Sequence, residues 1–306
     1  EIGVRLVGSE MCIRDSFCTI DGTGLITDRR AGRISTTDCQ RLCTVLSSIT
    51  IPQISIQVVP GEGHRFTIVF RGKDLSPDIS SNDPQAVDTH PLTLVGFNKS
   101  SNSMIQIVNR FLDEAKQLLC KEQHSNMVLL RGFSSIPDIP SMATAYQLNP
   151  AAIAAYPMYR GLAQLIGMNV LPTGKTFQEE IQTLKDNYLD YDFFFLHYKD
   201  ADTAGEDGDF KSKVKALEEF DRLIPELNAL QPTVLAITGD HSTPSVMKGH
   251  SWHPVPFLIH SKYAIKGVTP TFSEKSCKLG SIGIIPAQHL MLSILAHADK
   301  LTKFGA

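Results

Sequence analysis

YDFFFLHYKDADTAGEDGDF (residues 191–210), TVLAITGDHSTP (233–244) and GHSWHPVPFLIHS (249–261) decide the fold, because in each a short apolar run meets residues that bind metals. Tyr191 to His197 is almost wholly apolar and opens into a glycine-containing loop with five acidic residues, Asp200, Asp202, Glu206, Asp207 and Asp209. Thr233 to Gly239 stops at Asp240-His241, and Val255 to Ser261 follows His250 and His253. Apolar runs of this length bounded by Gly and Pro predict strands buried on both faces, as in a parallel sheet flanked by helices. Sheets of that kind place their sites where the strands end. Carboxylates and imidazoles are therefore expected to meet at one sheet edge, as the donor set of a divalent cation. A turn after the strand is needed to aim the adjacent Asp240 and His241 at nearby cations, and His250, nine residues beyond His241, is far enough along for a loop to bring it back.

Composition bounds the partners. The chain has 306 residues, 42% of them hydrophobic, and a net charge of −3, enough to bury a large core divided between two domains. Lys and Arg are scattered and no basic run carries interleaved aromatics, so no nucleic-acid partner is expected. No apolar stretch approaches the roughly 20 residues that cross a bilayer, so no membrane partner is expected. The six cysteines include no CxxC pair, and Cys39 and Cys43 have the spacing of one helix face. A reducing, cytoplasmic setting is expected. The oligomeric state is left open.

The remaining elements alternate. FCTI (17–20) leads into the turn DGTG, a hairpin signal, and ISIQVV and HRFTIVFRG are two alternating strands joined at Pro60-Gly61. Helices are expected over Cys39 to Leu46, Ser103 to Leu119, Ala151 to Met168, Gly174 to Tyr188, Lys211 to Leu230 and Gln288 to Ala298. NMVLLRG (126–132) reads as a further buried strand. The fold class is α/β, a doubly wound, mostly parallel sheet with a smaller α+β domain. Residues 17–122 are expected to form the small domain and 123–306 the large one. The leader EIGVRLVGSEMCIRDS (1–16) has neither helical period nor a signal-peptide core, so it is read as a cloning remnant, disordered and outside the fold.

HYKDADTAGEDGDF, ITGDHSTP and GHSWHPVPFLIHS resemble the archaeal-type, cofactor-independent phosphoglycerate mutases of the alkaline phosphatase superfamily. ITDRRAGRI (26–34), EGHRFTIVFRG (62–72), the Asp83-Pro84 pair, LLRGFS (129–134) and the closing KFGA agree in family order. The resemblance implies interconversion of 2- and 3-phosphoglycerate, a glycolytic and gluconeogenic step, through a phosphoserine and two divalent cations. It implies that Asp202 and His250 hold one cation, and Asp240 and His241 the other. At 206 the family often has His; Glu206 here favours Mn²⁺ or Mg²⁺ over Zn²⁺. Arg29, Arg30, Arg33, His64, Arg65 and Arg160 are implied to bind the phosphate and carboxylate of the substrate, which guanidinium forks suit. His197 and His253 are expected in supporting places. The resemblance begins at Phe17, and the family's first metal-binding Asp and its Ser nucleophile lie upstream of that position, so an inactive fragment is expected. Two alternatives stand beside this reading: a phosphohydrolase or phosphopentomutase of the same superfamily, and a non-catalytic metal-binding remnant.

Overall fold

The computed structural model describes residues 10–268 and 271–302. It divides into two compact units, Glu1–Asp138 and Ile139–Ala306.

The first unit is built on β1 (Glu10–Ile20), followed by β2 (Ile26–Asp28), α1 (Thr36–Leu46), β3 (Ser55–Pro60), β4 (Arg65–Arg71), α2 (Ser101–Leu119) and β5 (Met127–Ser135). β1 pairs antiparallel with β2, β4 and β5, and β3 closes on β4. The expected hairpin forms at Asp21, whose carboxylate accepts the Thr23 and Leu25 N–H groups at 2.8 and 2.9 Å. α2 buries Met104, Val108, Phe111, Leu112, Ala115 and Leu119, and Phe111 meets Phe70 edge-on at 5.7 Å.

The structure departs from two expectations in this unit. Residues 10–16 of the leader are the first part of β1, with Asp15 opposite Phe66 on one side and Leu130 on the other. Pairing on both edges gives that segment the backbone hydrogen bonds that a disordered segment lacks. Residues 1–9 of the leader, and the closing KFGA, lie outside the described residues. The division expected at 122/123 falls at 138/139, because the strand over 127–135 joins this antiparallel sheet and not a parallel one.

The second unit runs through α3 (Met142–Tyr146), β6 (Pro150–Ala154), α4 (Pro157–Leu165), β7 (Asn169–Val170), α5 (Phe177–Asp186), β8 (Phe193–His197), α6 (Asp200–Asp207), α7 (Phe210–Ala229), β9 (Val234–Thr238), β10 (Phe257–Ser261), α8 (Glu274–Cys277) and α9 (Leu290–His297). β6 lies between β7 and β8, parallel to both. Successive β6 side chains feed opposite layers. Ala152 packs with Met142, Leu148, Ala163, Met168 and Leu295, while Ala151 and Ile153 pack with Ile181, Leu184 and Leu227. That is the alternation of a strand covered on both faces.

The alanine-rich stretch from Ala151, expected to be helical throughout, thus begins as the middle strand of this sheet. Burial between two layers overrides alanine's helical preference, and Pro157, which suits a first helical turn, opens the helix only at α4. The acidic stretch expected as a loop is helical from Asp200, closed by Gly208 at φ 74°. β9 and β10 form a separate antiparallel pair among the described residues, not parallel neighbours of β8. All three strands stay largely half-buried, contrary to the expectation of burial on both faces. β8 is hydrogen-bonded along one edge only among the described residues, and β9 and β10 pair only with each other. No helix among the described residues is long and apolar enough to cross a membrane.

Asp15, buried at 2% exposure in β1, accepts the Ile68 N–H at 3.0 Å, and its other oxygen has no hydrogen-bond partner. Burial pushes its carboxyl well above the usual carboxylate range, against the opposing pull of the Ile68 and Arg131 backbone and the Arg131 charge. The folded state then keeps a proton that the unfolded chain releases near about pH 4, so this group makes stability fall as pH rises. Asp15→Asn is expected to shrink the drop in melting temperature between about pH 5 and about pH 8 in calorimetry. Equal drops in both proteins would show Asp15 ionised in the fold.

Candidate metal centre

Three segments of the second unit bring acceptor atoms together. α6 begins three residues after the end of β8, and its first turn carries Asp202, with Glu206 one turn later on the same face. Beyond β9 the chain leaves the strand at Gly239, so Asp240 and His241 sit in a turn. It then loops through Pro244 to Gly249 and returns where the Ser251 N–H donates to the Ser242 carbonyl at 2.9 Å. That closure lays the His250 ring on the His241 ring, 3.8 Å between centroids.

Ligand-type atoms of Asp202, His241 and His250 lie within 4.8 Å of one another. His250 Nε2 stands 3.6 Å from both Asp202 Oδ1 and Glu206 Oε1. His241 Nε2 stands 3.5 Å from Asp240 Oδ2, and its Nδ1 is 3.8 Å from Asp202 Oδ1. These separations are too long for hydrogen bonds. Two ligands held about 2.1 Å from one cation stand about 3.0–3.4 Å apart, so small shifts would let cations sit among these atoms. The donor set of carboxylates and imidazoles fits a divalent metal.

Hydrogen bonds around the cluster favour the ionised forms of Asp202 and Asp240. Burial by itself pushes the Asp202 carboxyl up, but hydrogen bonds from Lys199 and Thr243 hold it below the usual range. The Lys199 ammonium contacts Asp202 Oδ2, leaving Oδ1 toward the histidines. Asp240 is likewise held low against burial, by the Tyr159 hydroxyl at 2.5 Å and by His241. Tyr159 stacks on His197 with centroids 3.6 Å apart. Burial pushes His197 down to about 4, so it is neutral at physiological pH, and its buried Nδ1 has no hydrogen-bond partner. His253 is bonded to Ser251 at 2.9 Å and stacked on Trp252.

Sequence reasoning did not single out Tyr159, Lys199 or Thr243. Tyr159 comes from α4, far away in sequence, and nothing local signals it. Lys199 and Thr243 lie within the quoted strings, and their closeness to ligand residues was the available signal.

The expected phosphate-binding residues fall into three groups. In the first unit, His64 is pushed down to about 4, by burial first and then by the charges of Arg65, Arg30 and Arg33, with Asp28 opposing. These four basic residues therefore share one neighbourhood. Asp28 fixes the turn that carries Arg30 and Arg33 by accepting the Arg30 and Gly32 N–H groups at 2.7 and 2.6 Å. Residues 31–33 all have positive φ, a strained run for Ala31 and Arg33. Arg29 stands apart, because its fork donates twice to the buried Asp83, at 3.1 and 2.8 Å. Arg160 lies in α4 of the second unit, next to Tyr159 and half-buried.

A family model described as the Metalloenzyme superfamily matches residues 15–297. Two solved structures have the same fold: a cofactor-independent phosphoglycerate mutase of Thermoplasma acidophilum, at TM-score 0.66 and 24% identity over 95% of this chain and 77% of that one, and a protein of Pyrococcus horikoshii, at TM-score 0.80 and 22% identity over 100% and 78%. Fold and site define a metalloenzyme of the α/β, alkaline-phosphatase-like class. Among curated relatives, proteins of Aquifex aeolicus and Thermotoga maritima, each named "Probable 2,3-bisphosphoglycerate-independent phosphoglycerate mutase", are both 44% identical, over 100% of this chain and 77% and 76% of their own lengths. The chain belongs to the 2,3-bisphosphoglycerate-independent phosphoglycerate mutase family.

Two glycines test how tightly the centre is packed. A Cβ on Gly205 would stand 2.3 Å from the Thr243 carbonyl oxygen, whereas one on Gly161 in α4 meets nothing within 4 Å. Gly205→Ala is expected to cost about 1–3 kcal/mol in urea unfolding, and Gly161→Ala to add about 0.5–1 kcal/mol. Equal effects at the two positions would contradict the close approach.

Proposed function

We propose that the chain carries the metal-binding part of a 2,3-bisphosphoglycerate-independent phosphoglycerate mutase that interconverts 3- and 2-phosphoglycerate. The observation that carries this reading is the convergence of Asp202, Glu206, His250, Asp240 and His241, with imidazole nitrogens and carboxylate oxygens 3.5–3.6 Å apart, too far for hydrogen bonds and close to ligand–ligand spacing around one cation. Asp202, Glu206 and His250 form one ligand set, and Asp240 and His241 belong to a second. Two cations held there supply positive charge to the oxygens of a transferring phosphoryl group. Glu206 in place of an imidazole favours Mn²⁺ or Mg²⁺ over Zn²⁺.

The protein's own residues then have two tasks. Lys199 and Thr243 keep Asp202 ionised and aimed, and Tyr159 does the same for Asp240. In the first unit Arg30, Arg33, His64 and Arg65 form a basic cluster whose guanidinium groups suit the phosphate and carboxylate of phosphoglycerate, and Arg160 is a further candidate beside Tyr159. Arg29 holds Asp83 in place and so acts at one remove from the substrate. Phosphoryl transfer to a protein hydroxyl and back accounts for the absence of bisphosphoglycerate from the relatives' requirement. The free thiols of Cys18, Cys39, Cys43, Cys120 and Cys277 suit a reducing, cytoplasmic setting.

Isothermal titration with Mn²⁺ is expected to lose one binding site in Asp202→Asn and in Glu206→Ala; unchanged stoichiometry in Glu206→Ala removes that residue from the ligand set. An enolase-coupled assay with 3-phosphoglycerate and Mn²⁺, without bisphosphoglycerate, tests the reaction on this chain and on one extended to the relatives' full length. The extended protein is expected to turn over, and to lose that turnover in Asp202→Asn. Mn²⁺ binding without turnover in the extended protein would favour a different phosphotransfer reaction of the same superfamily.

A further inference from the structure

Thr243 is a short polar residue in the turn between Asp240 and His250, yet it is buried at 4% exposure and touches two helices, α6 and α7. Its carbonyl oxygen accepts the Lys213 ammonium of α7 at 2.5 Å. Its backbone lies against Gly205 of α6, at a distance no side chain at 205 would permit. Its hydroxyl oxygen is 2.5 Å from Asp202 Oδ1 and 3.0 Å from His241 Nδ1. A hydroxyl has one hydrogen to donate and lone pairs to accept with.

An ionised carboxylate only accepts, so the Thr243 hydrogen must point to Asp202 Oδ1. The same oxygen must then accept from His241, which requires the hydrogen of the neutral imidazole to sit on Nδ1. The Nε2 lone pair is left free, on the side where Asp240 Oδ2 lies 3.5 Å away. We propose that Thr243 is a positioning residue that fixes the tautomer and ring orientation of His241, so that His241 offers Nε2 alongside Asp240 and not Nδ1 alongside Asp202 and His250. The Thr243 hydroxyl thereby joins the two ligand sets in one chain, Asp202 to Thr243 to His241, and settles which set His241 serves. Such supporting hydrogen bonds commonly set which imidazole nitrogen meets a metal. Its consequence for metal affinity rests on the metal-binding reading above; the tautomer itself does not.

The test uses the whole chain with ¹⁵N-labelled histidine, metal-free at about pH 8.5, with the His241 signals identified by their loss in His241→Gln. Wild-type His241 is expected to show a protonated Nδ1 and a bare Nε2. Thr243→Val, which keeps the shape and removes the hydroxyl, is expected to move the hydrogen largely to Nε2, the position a free imidazole prefers, and Thr243→Ser is expected to restore Nδ1–H. In Mn²⁺ titration the Val variant is expected to bind about 10–100-fold more weakly at one site, and the Ser variant close to wild type. A wild-type His241 with its hydrogen on Nε2 overturns the proposal, as does a Val variant that keeps Nδ1–H. Nδ1–H in the wild type together with no Mn²⁺ binding by any form leaves Thr243 in its role and sinks the metal reading instead.

Discussion

The backbone after β9 presses against α6 at Gly205 so closely that the Thr243 carbonyl occupies the space a side chain would need. Without that approach, Asp202 on the helix and His241 on the turn would belong to separate surfaces. With it, one buried hydroxyl reaches both, and Lys213 holds the turn from behind. Gathering carboxylates near one another is unfavourable unless cations or donors answer them. The answering groups are Lys199 and Thr243 for Asp202 and Tyr159 for Asp240. These two acids remain charged because each has its own donor, and Thr243 and Tyr159 are themselves buried.

The sheet beneath makes this possible by carrying small residues at its middle. Ala151, Ala152 and Ala154 in β6 are buried almost completely, and their size lets α4, α5 and α7 come close on the two faces. α4 then brings Tyr159 onto His197 and Asp240, while β8 delivers its end to the first turn of α6. In the first unit the same logic appears with the signs exchanged. Asp28 and Asp83 are buried or half-buried acids whose work is to hold arginines, Asp28 by shaping the turn under Arg30 and Arg33, Asp83 by binding the fork of Arg29. The strained, left-handed run at 31–33 is held by Asp28, which accepts the Gly32 N–H, and by the Arg30 carbonyl, which accepts the Arg33 N–H.

Much of this was legible along the chain. The strings ending in Asp240-His241 and containing Asp202, Glu206 and His250 place carboxylates and imidazoles just past apolar runs, and the geometry brings all five into one neighbourhood. The hairpin at Asp21, the pair of strands at Pro60-Gly61 and the helical stripe of Met104, Val108, Phe111 and Ala115 follow from turn chemistry and periodicity. What failed did so for a physical reason. Alanines at 151–154 have no periodic signal that separates a buried strand from a helix, and residues 10–16 look like no regular element until two partner strands supply their hydrogen bonds. The strand over 127–135 reads equally well in a parallel or an antiparallel sheet, since burial on both faces looks the same in either.

The sequence by itself determined which side chains stand near one another along the chain: acids and imidazoles after apolar runs, arginines beside a hairpin, and a carboxylate at 206. These are properties of side-chain type and spacing, and they survive any arrangement that keeps the strands. Tertiary structure alone decided which donor serves which acid, that Arg29 is committed to Asp83, and that a threonine hydroxyl stands between Asp202 and His241. Such pairings depend on ångström distances between segments up to 81 residues apart, as between Tyr159 and Asp240, and no local pattern encodes them.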